Sequence, residues 1–294
     1  MGVDVRERGL LGGALSAAER AELDDVGFVM VRGAVPDAEV DRYAAELDRL
    51  HRAADREGTL RTNGSMHLLS AVAQSPLMAD LLDRPATFRW VWGTLGWNVH
   101  LYHSHVDVHP PLPGPQPPHW HWHQDGGRQN VELETEPRPR MSIKVAYWFS
   151  DVSRPRRGNL MVIPGSHRRN SIEGPARRDV PHPPPADAVE VTADAGDAIV
   201  FDRRIWHARS DNHSAFVRRA VFLGYTYRWV HGRDDLDQVR ASPWFAGLDD
   251  VRRQLLGGVG GDGDHQWGHD PDDVPLYRAL REQGLLDRSV PVLR

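Results

Sequence analysis

One stretch restricts this chain more than any other. It is His119-Trp120-His121-Trp122-His123-Gln124-Asp125, answered far downstream by Asp202-Arg203-Arg204-Ile205-Trp206-His207. Residues i and i+2 of a strand point to the same side. An extended backbone therefore lets His123 and Asp125 reach one metal ion together. Two imidazoles and one carboxylate on one face are the set that holds ferrous iron and leaves the opposite coordination positions open. The third ligand must come from another strand, so the fold has to bring strands distant in sequence side by side.

The choice of ligands stays open at this level. His119, His121 and His123 alternate onto one face, and a His121-x-His123 pair would serve a cupin-type site equally well. Trp120 and Trp122 then fall on the other face as packing residues. The chain has no cysteine, which removes disulfides, thiolate ligands and thiol nucleophiles, and leaves its sixteen histidines and its carboxylates as the metal-ligand candidates.

The pattern around this stretch changes along the chain. Ser16 and Glu19 have capping-box spacing, which predicts a helix running to about Asp25 and stopping at Gly27. Phe28 to Val31 reads as a strand. After Pro36, Val40, Tyr43, Ala44, Leu47 and Leu50 give a second helix one apolar face. Ala71 to Leu82 and Ala86 to Leu95 read as further helical pieces.

From Trp97 onward the signal is short strands. These are Val99 to Val106, Met141 to Phe149, Leu160 to Ile163, Asp197 to Asp202 and Arg218 to Trp229. Pro/Gly punctuation separates them, and a loop with six prolines spans 110–118. Many short strands so punctuated indicate a sandwich or barrel. Residues 234–294 return to helical patterns broken by the Gly-rich run 257–263. The expectation is one domain over 1–294, with a mainly helical part over 1–96, a β core over 97–230 and a C-terminal extension over 231–294.

At 294 residues, 40% hydrophobic and 26% charged, the chain can bury a sizeable core. A net charge of -5 gives no reason to expect nucleic acid or an acidic membrane as partner. No apolar run reaches the length of a membrane span, and the cytoplasm is the default expectation.

Arg218 opens a strand shortly after His207. A site for a small dicarboxylate needs a fixed cation near the metal, and the guanidinium fork binds carboxylate through two hydrogen bonds. Arg219 should face the opposite way. Lys144 is the only lysine among 36 basic residues. Alternation sets it on the face opposite Tyr147, and a solvent-facing or structural role is expected. His167, after the Pro164-Gly165-Ser166 turn, is expected to bond local backbone.

Several ordered motifs together resemble the phytanoyl-CoA dioxygenase family of Fe(II)- and 2-oxoglutarate-dependent oxygenases. They are Asp24-Asp25-Val26-Gly27-Phe28-Val29-Met30-Val31-Arg32-Gly33, His123-Gln124-Asp125 and Gly158-Asn159-Leu160-Met161-Val162-Ile163-Pro164-Gly165-Ser166-His167. Gly196-Asp197 through His207 follows, then Asn212-His213-Ser214, Arg218 and Arg253-Gln254-Leu255-Leu256-Gly257. The similarity runs over roughly 15–257.

The resemblance implies an α+β fold, a double-stranded β-helix (jelly-roll) core flanked by N-terminal and C-terminal helices. It implies that His123, Asp125 and His207 ligate the iron and that Arg218 grips the distal carboxylate of 2-oxoglutarate, with Tyr147 as an aromatic beside that cosubstrate. Arg209 is a candidate substrate contact. The partners implied are 2-oxoglutarate, O2 and a small-molecule substrate. The reaction implied is hydroxylation of a C–H bond in bacterial secondary metabolism, with succinate and CO2 released. Asp125 stands where some relatives have a small residue and bind chloride, which argues against halogenation. The alternatives are a cupin-type isomerase or oxygenase working without 2-oxoglutarate, and a non-catalytic jelly-roll metal-binding protein.

Overall fold

The computed structural model describes residues 11–112, 114, 116, 119–258 and 271–286. Most of the proline loop's centre and the Gly-rich run beyond 258 lie outside the described residues. Nine strands are present among those described: β1 Phe28–Val31, β2 Met66–Leu69, β3 Val99–His109, β4 Ser142–Trp148, β5 Leu160–Val162, β6 Val189–Glu190, β7 Ala198–Asp202, β8 His207–Arg209 and β9 Arg218–Tyr227. They form a six-stranded sheet of order β1-β7-β4-β9-β3-β2 and a three-stranded sheet of order β6-β5-β8. The fold is α+β with a jelly-roll core.

Two compact units share the chain in interleaved segments. One comprises 1–20, 69–104 and 223–294, the other 21–68 and 105–222. β3 and β9 contribute residues to both.

In the first unit, Ser16 and Glu19 close the expected capping box, with Glu19 N–H donating to Ser16 Oγ at 3.2 Å and Ser16 N–H to Glu19 Oε2 at 2.8 Å. They open helix α1 (Ala17–Val26). The helix expected over 71–82 is two pieces, Ala71–Gln74 and a 3-10 turn Pro76–Leu81. Pro76 lacks the N–H that a continuous helix needs. Gln254 ties the C-terminal helical segments in, donating from Nε2 to Trp97 O at 2.9 Å and accepting from Leu276 N–H at 2.8 Å.

The second unit holds the core that positions the site. Ala146, Trp148, Ile199, Phe201, Ala220 and Phe222 from the large sheet meet Leu160 and Val162 from the small one. Helix α2 (Asp37–Arg56) buries Tyr43, Leu47, Leu50 and Ala54. Tyr43 stacks on Phe149 with ring centroids 4.8 Å apart, so the outer face of β4 lies under this helix. β4 is therefore buried on both faces. The Gly27 turn after α1 is held tightly: φ is +87°, and a Cβ there would lie 2.5 Å from His167 Nδ1. His167 in turn bonds Asp24 O through Nε2 at 3.0 Å, a backbone partner, though one distant in sequence rather than the local one expected. No helix among the described residues is long and apolar enough to cross a membrane.

Candidate metal centre

Hydrogen bonding between two distant backbones builds the centre. His123 N–H donates to His207 O at 3.0 Å, and His207 N–H returns to His123 O at 2.9 Å. Residues that exchange both bonds sit directly opposite each other and present their side chains to the same face. Their rings lie 4.2 Å apart. Asp125 N–H then bonds Arg203 O at 3.0 Å, which continues the pairing and brings Asp125 round beside them.

The intervening residues anchor the other face. Trp122 packs with Ile163 and Ala208, and Trp120, Met161, Ile172 and Trp206 flank that cluster. The His/Trp alternation is thus a ligand edge backed by an apolar edge. It is an isolated bridge at His123 rather than a full strand. Gln124 Nε2 donates to Arg169 O at 2.9 Å. Gly126 (φ +124°) leaves room for the Arg203 guanidinium, whose Nη1 would otherwise lie 2.0 Å from a Cβ. That guanidinium donates to Asp125 O at 2.9 Å.

His123, Asp125 and His207 each offer a ligand atom, all within 4.8 Å of one another. His123 Nε2 is 3.9 Å from Asp125 Oδ1, and His207 Nε2 is 3.8 Å from Oδ2. The two Nδ1 atoms are engaged elsewhere: His123 Nδ1 donates to His121 O at 2.7 Å, and His207 Nδ1 to Ile205 O at 2.9 Å. A carbonyl only accepts, so the proton sits on Nδ1 and the Nε2 lone pair faces Asp125. Such a backbone bond fixes the tautomer and aims the ring at a metal.

The electrostatics agree. Burial, with the His123 imidazole beside it, pushes His207 down to about 4, so the ring is neutral at pH 7. Burial opposes ionisation of Asp125, but the Lys144 ammonium, with the two imidazoles beside it, outweighs it and holds the carboxyl well below the usual carboxylate range. An anionic carboxylate and two imidazoles, each turning Nε2 towards it, suit a divalent transition metal. His121 is absent from this donor group among the described residues; only its backbone carbonyl takes part.

Lys144 is not the solvent-facing residue the sequence allowed. It is buried, and its Nζ lies 2.8 Å from Asp125 Oδ2. β4 buries both faces, so alternation alone could not say which face met the site. By the same alternation Tyr147 lies on the opposite face, the one bearing Phe149 against α2. Tyr147 is buried on that face, opposite the Lys144 side that meets Asp125.

Arg218 points into the core with Ala220 and Phe222, its guanidinium 5.5 Å from the Phe222 ring centre. Arg219 faces away and pairs with Asp48 of α2 at 2.8 Å, as expected of the two neighbours. Burial lowers Arg218 to about 10, still a cation at neutral pH. Asp107 Oδ2 is 3.5 Å from it. Around Asp107 lie His67 (2.7 Å), His109 (3.7 Å) and His105 (3.8 Å). Nothing in the sequence spacing singled out this second group. Arg209 shares its strand face with His207 and is half-buried.

The phytanoyl-CoA dioxygenase (PhyH) family model matches residues 23–220, the greater part of the chain. The chain belongs to this family. As a member it is a non-haem iron dioxygenase that depends on 2-oxoglutarate. Ectoine dioxygenase of Nocardia farcinica is 26% identical over 244 residues, covering 72% of this chain and 78% of the relative. The structure of EctD from S. alaskensis with 2-oxoglutarate and 5-hydroxyectoine superposes with a TM-score of 0.57 at 25% identity, over 72% of this chain and 76% of that one. HygX from Streptomyces hygroscopicus, with nickel and 2-oxoglutarate bound, gives a TM-score of 0.59 at 17% identity, over 74% and 90% of the two chains, and shows the shared fold.

Proposed function

We propose that this dioxygenase binds Fe(II) through His123, Asp125 and His207 and holds the distal carboxylate of 2-oxoglutarate on Arg218. It hydroxylates a C–H bond of a small molecule in bacterial secondary metabolism, with release of succinate and CO2. The observation that carries the reading is the pair of Nε2 lone pairs, each oriented by a backbone bond on Nδ1, converging on the Asp125 carboxylate.

Iron and 2-oxoglutarate together supply the oxidant that breaks the substrate bond. The chain's own work is placement. The reciprocal His123–His207 backbone bonds fix two ligands to one face. Arg218 offers a buried fork suited to a carboxylate. Phe201, its ring 5.4 Å from that of His207, and Phe222, 5.5 Å from the Arg218 guanidinium, join the site to the apolar core. Arg209, aligned with His207 along β8, is our candidate substrate contact. The relatives named ectoine dioxygenases, and the EctD structure that holds 5-hydroxyectoine, support a small substrate and a hydroxylated product.

The test is anaerobic. Ferrous iron followed by 2-oxoglutarate should give the weak visible charge-transfer band of the chelated cosubstrate. In Arg218→Ala the 2-oxoglutarate Kd should rise roughly 30-fold or more, since removing one partner of a buried charge pair costs about 2–5 kcal/mol. Iron binding without any band at saturating 2-oxoglutarate would overturn the reading.

A further inference from the structure

Lys144 is the chain's single lysine, and it is buried against the carboxylate of the metal cluster. A solvated ammonium is placed in a core only at a cost of several kcal/mol unless its charge is matched. Here the match is Asp125, at 2.8 Å. Lys144 Nζ contacts Oδ2, the oxygen that also lies 3.8 Å from His207 Nε2, while Oδ1 is 3.9 Å from His123 Nε2. Other basic side chains of the unit are arginines, whose fork would engage both carboxylate oxygens at once. An ammonium is a point charge and can engage one.

We propose that Lys144 is a positioning residue that reserves Asp125 Oδ2, so that the carboxylate offers the metal one oxygen and the remaining coordination positions stay open for the cosubstrate and oxygen. The proposal rests on the reading of His123, Asp125 and His207 as the ligand set. Its physical basis is a count. Three protein donors leave three positions of an octahedral ion, and a chelating cosubstrate with O2 needs all three. A carboxylate binding through both oxygens would occupy one of them. The Lys144 charge also favours an anionic cosubstrate beside the ion, so both effects of the lysine act in the same direction.

Because there is one lysine, protein grown with 13Cε-lysine gives a single side-chain signal, and no variant is needed for the first test. Zinc, a diamagnetic stand-in, should shift that signal, and 2-oxoglutarate added to the zinc-loaded protein should shift it again. The second test is Lys144→Met, which has a similar length and no charge. It should keep its metal, measured by competition with a chelator, while the 2-oxoglutarate Kd rises by about tenfold, the ~1.4 kcal/mol expected from removing a cation beside an anionic ligand.

A merely structural lysine would change the melting temperature and leave that affinity alone. An unchanged 2-oxoglutarate Kd with metal retained overturns the proposal, as does a lysine signal indifferent to metal. Loss of the metal in Lys144→Met overturns it too, because the lysine would then be needed for the ligand set to form at all. If wild type binds no metal, and Asp125→Ala behaves identically, the ligand assignment itself falls, which is a different result from failure of the lysine alone.

Discussion

His123, Asp125 and His207 form one cluster of potential ligands, and His67, His105 and Asp107 form another in the same unit. Both have two imidazoles and a carboxylate. They differ in where the ring protons go. In the first, each Nδ1 is committed to a backbone carbonyl and each Nε2 is left facing the carboxylate. In the second, His67 spends Nδ1 directly on Asp107 at 2.7 Å, and the Arg218 guanidinium stands 3.5 Å from the same carboxylate. The second cluster is a charge network that holds an arginine, and composition alone would have scored the two alike.

The largest effect should come from breaking the two carboxylates separately. Asp125→Ala is expected to lose iron and all turnover. Asp107→Asn is expected to keep iron, measured in the same assay. Asp107→Asn should instead lower the unfolding free energy of the cofactor-free protein by about 3–5 kcal/mol, because Arg218 keeps its buried charge and loses its ion pair. Added 2-oxoglutarate should restore part of that stability by supplying a new carboxylate. If Asp107→Asn lost iron while Asp125→Ala kept it, the roles of the two clusters would be reversed.

Acid should separate the clusters further. Burial pushes His109, beside Asp107, down to about 4, and does the same to His100 and His207. Unfolded imidazoles protonate near 6.5. The unfolded state therefore takes up protons first. Stability from these neutral rings is complete above about pH 6.5 and is lost as pH falls from there towards 4. Asp107 works lower in the scale. Burial opposes its ionisation, yet His109, His67 and His105 hold it well below the usual value, so its contribution survives until the pH falls beneath that of an ordinary carboxylate. Urea unfolding of metal-free protein should show a steep decline between pH 6.5 and 4, shallower in His109→Gln by up to ~3 kcal/mol. Zinc bound at the first cluster should add stability that also drains away over this range. A flat profile between pH 7 and 5 would contradict the neutral, buried assignment.

What the sequence could show of this follows from how local each feature is. The Ser16/Glu19 cap, the helix after Pro36 and the strand at 142–148 depend on neighbours in the chain, and their signals were readable. His123-Gln124-Asp125 and His207 were readable because motif order carried them. The side of a doubly buried strand was not. β4 is buried throughout, so alternation sets Lys144 and Tyr147 on opposite faces without saying which face meets the site, and the structure brings Lys144 to the Asp125 carboxylate. Arg203 under Gly126 and Asp107 beside Arg218 are meetings of residues far apart in the chain, invisible to any local period. Lys144, the chain's one lysine, meets Asp125 across 19 residues of sequence with no local period to announce it.

The smallest expected effect decides between the two oldest readings of the His-rich stretch. A cupin-type site would use the His121 ring with His123. In the structure the His121 ring lies tilted against His119, at 4.3 Å between centroids, and only its carbonyl reaches the centre, accepting from His123 Nδ1. A side-chain substitution leaves that carbonyl in place. His121→Asn should therefore retain iron affinity and the 2-oxoglutarate band within about threefold, far short of the 10–100-fold cost of losing a group that supports a ligand. Loss of iron in His121→Asn, with His207→Asn still binding it, would move the centre to the cupin pair and remove Arg218 from the chemistry.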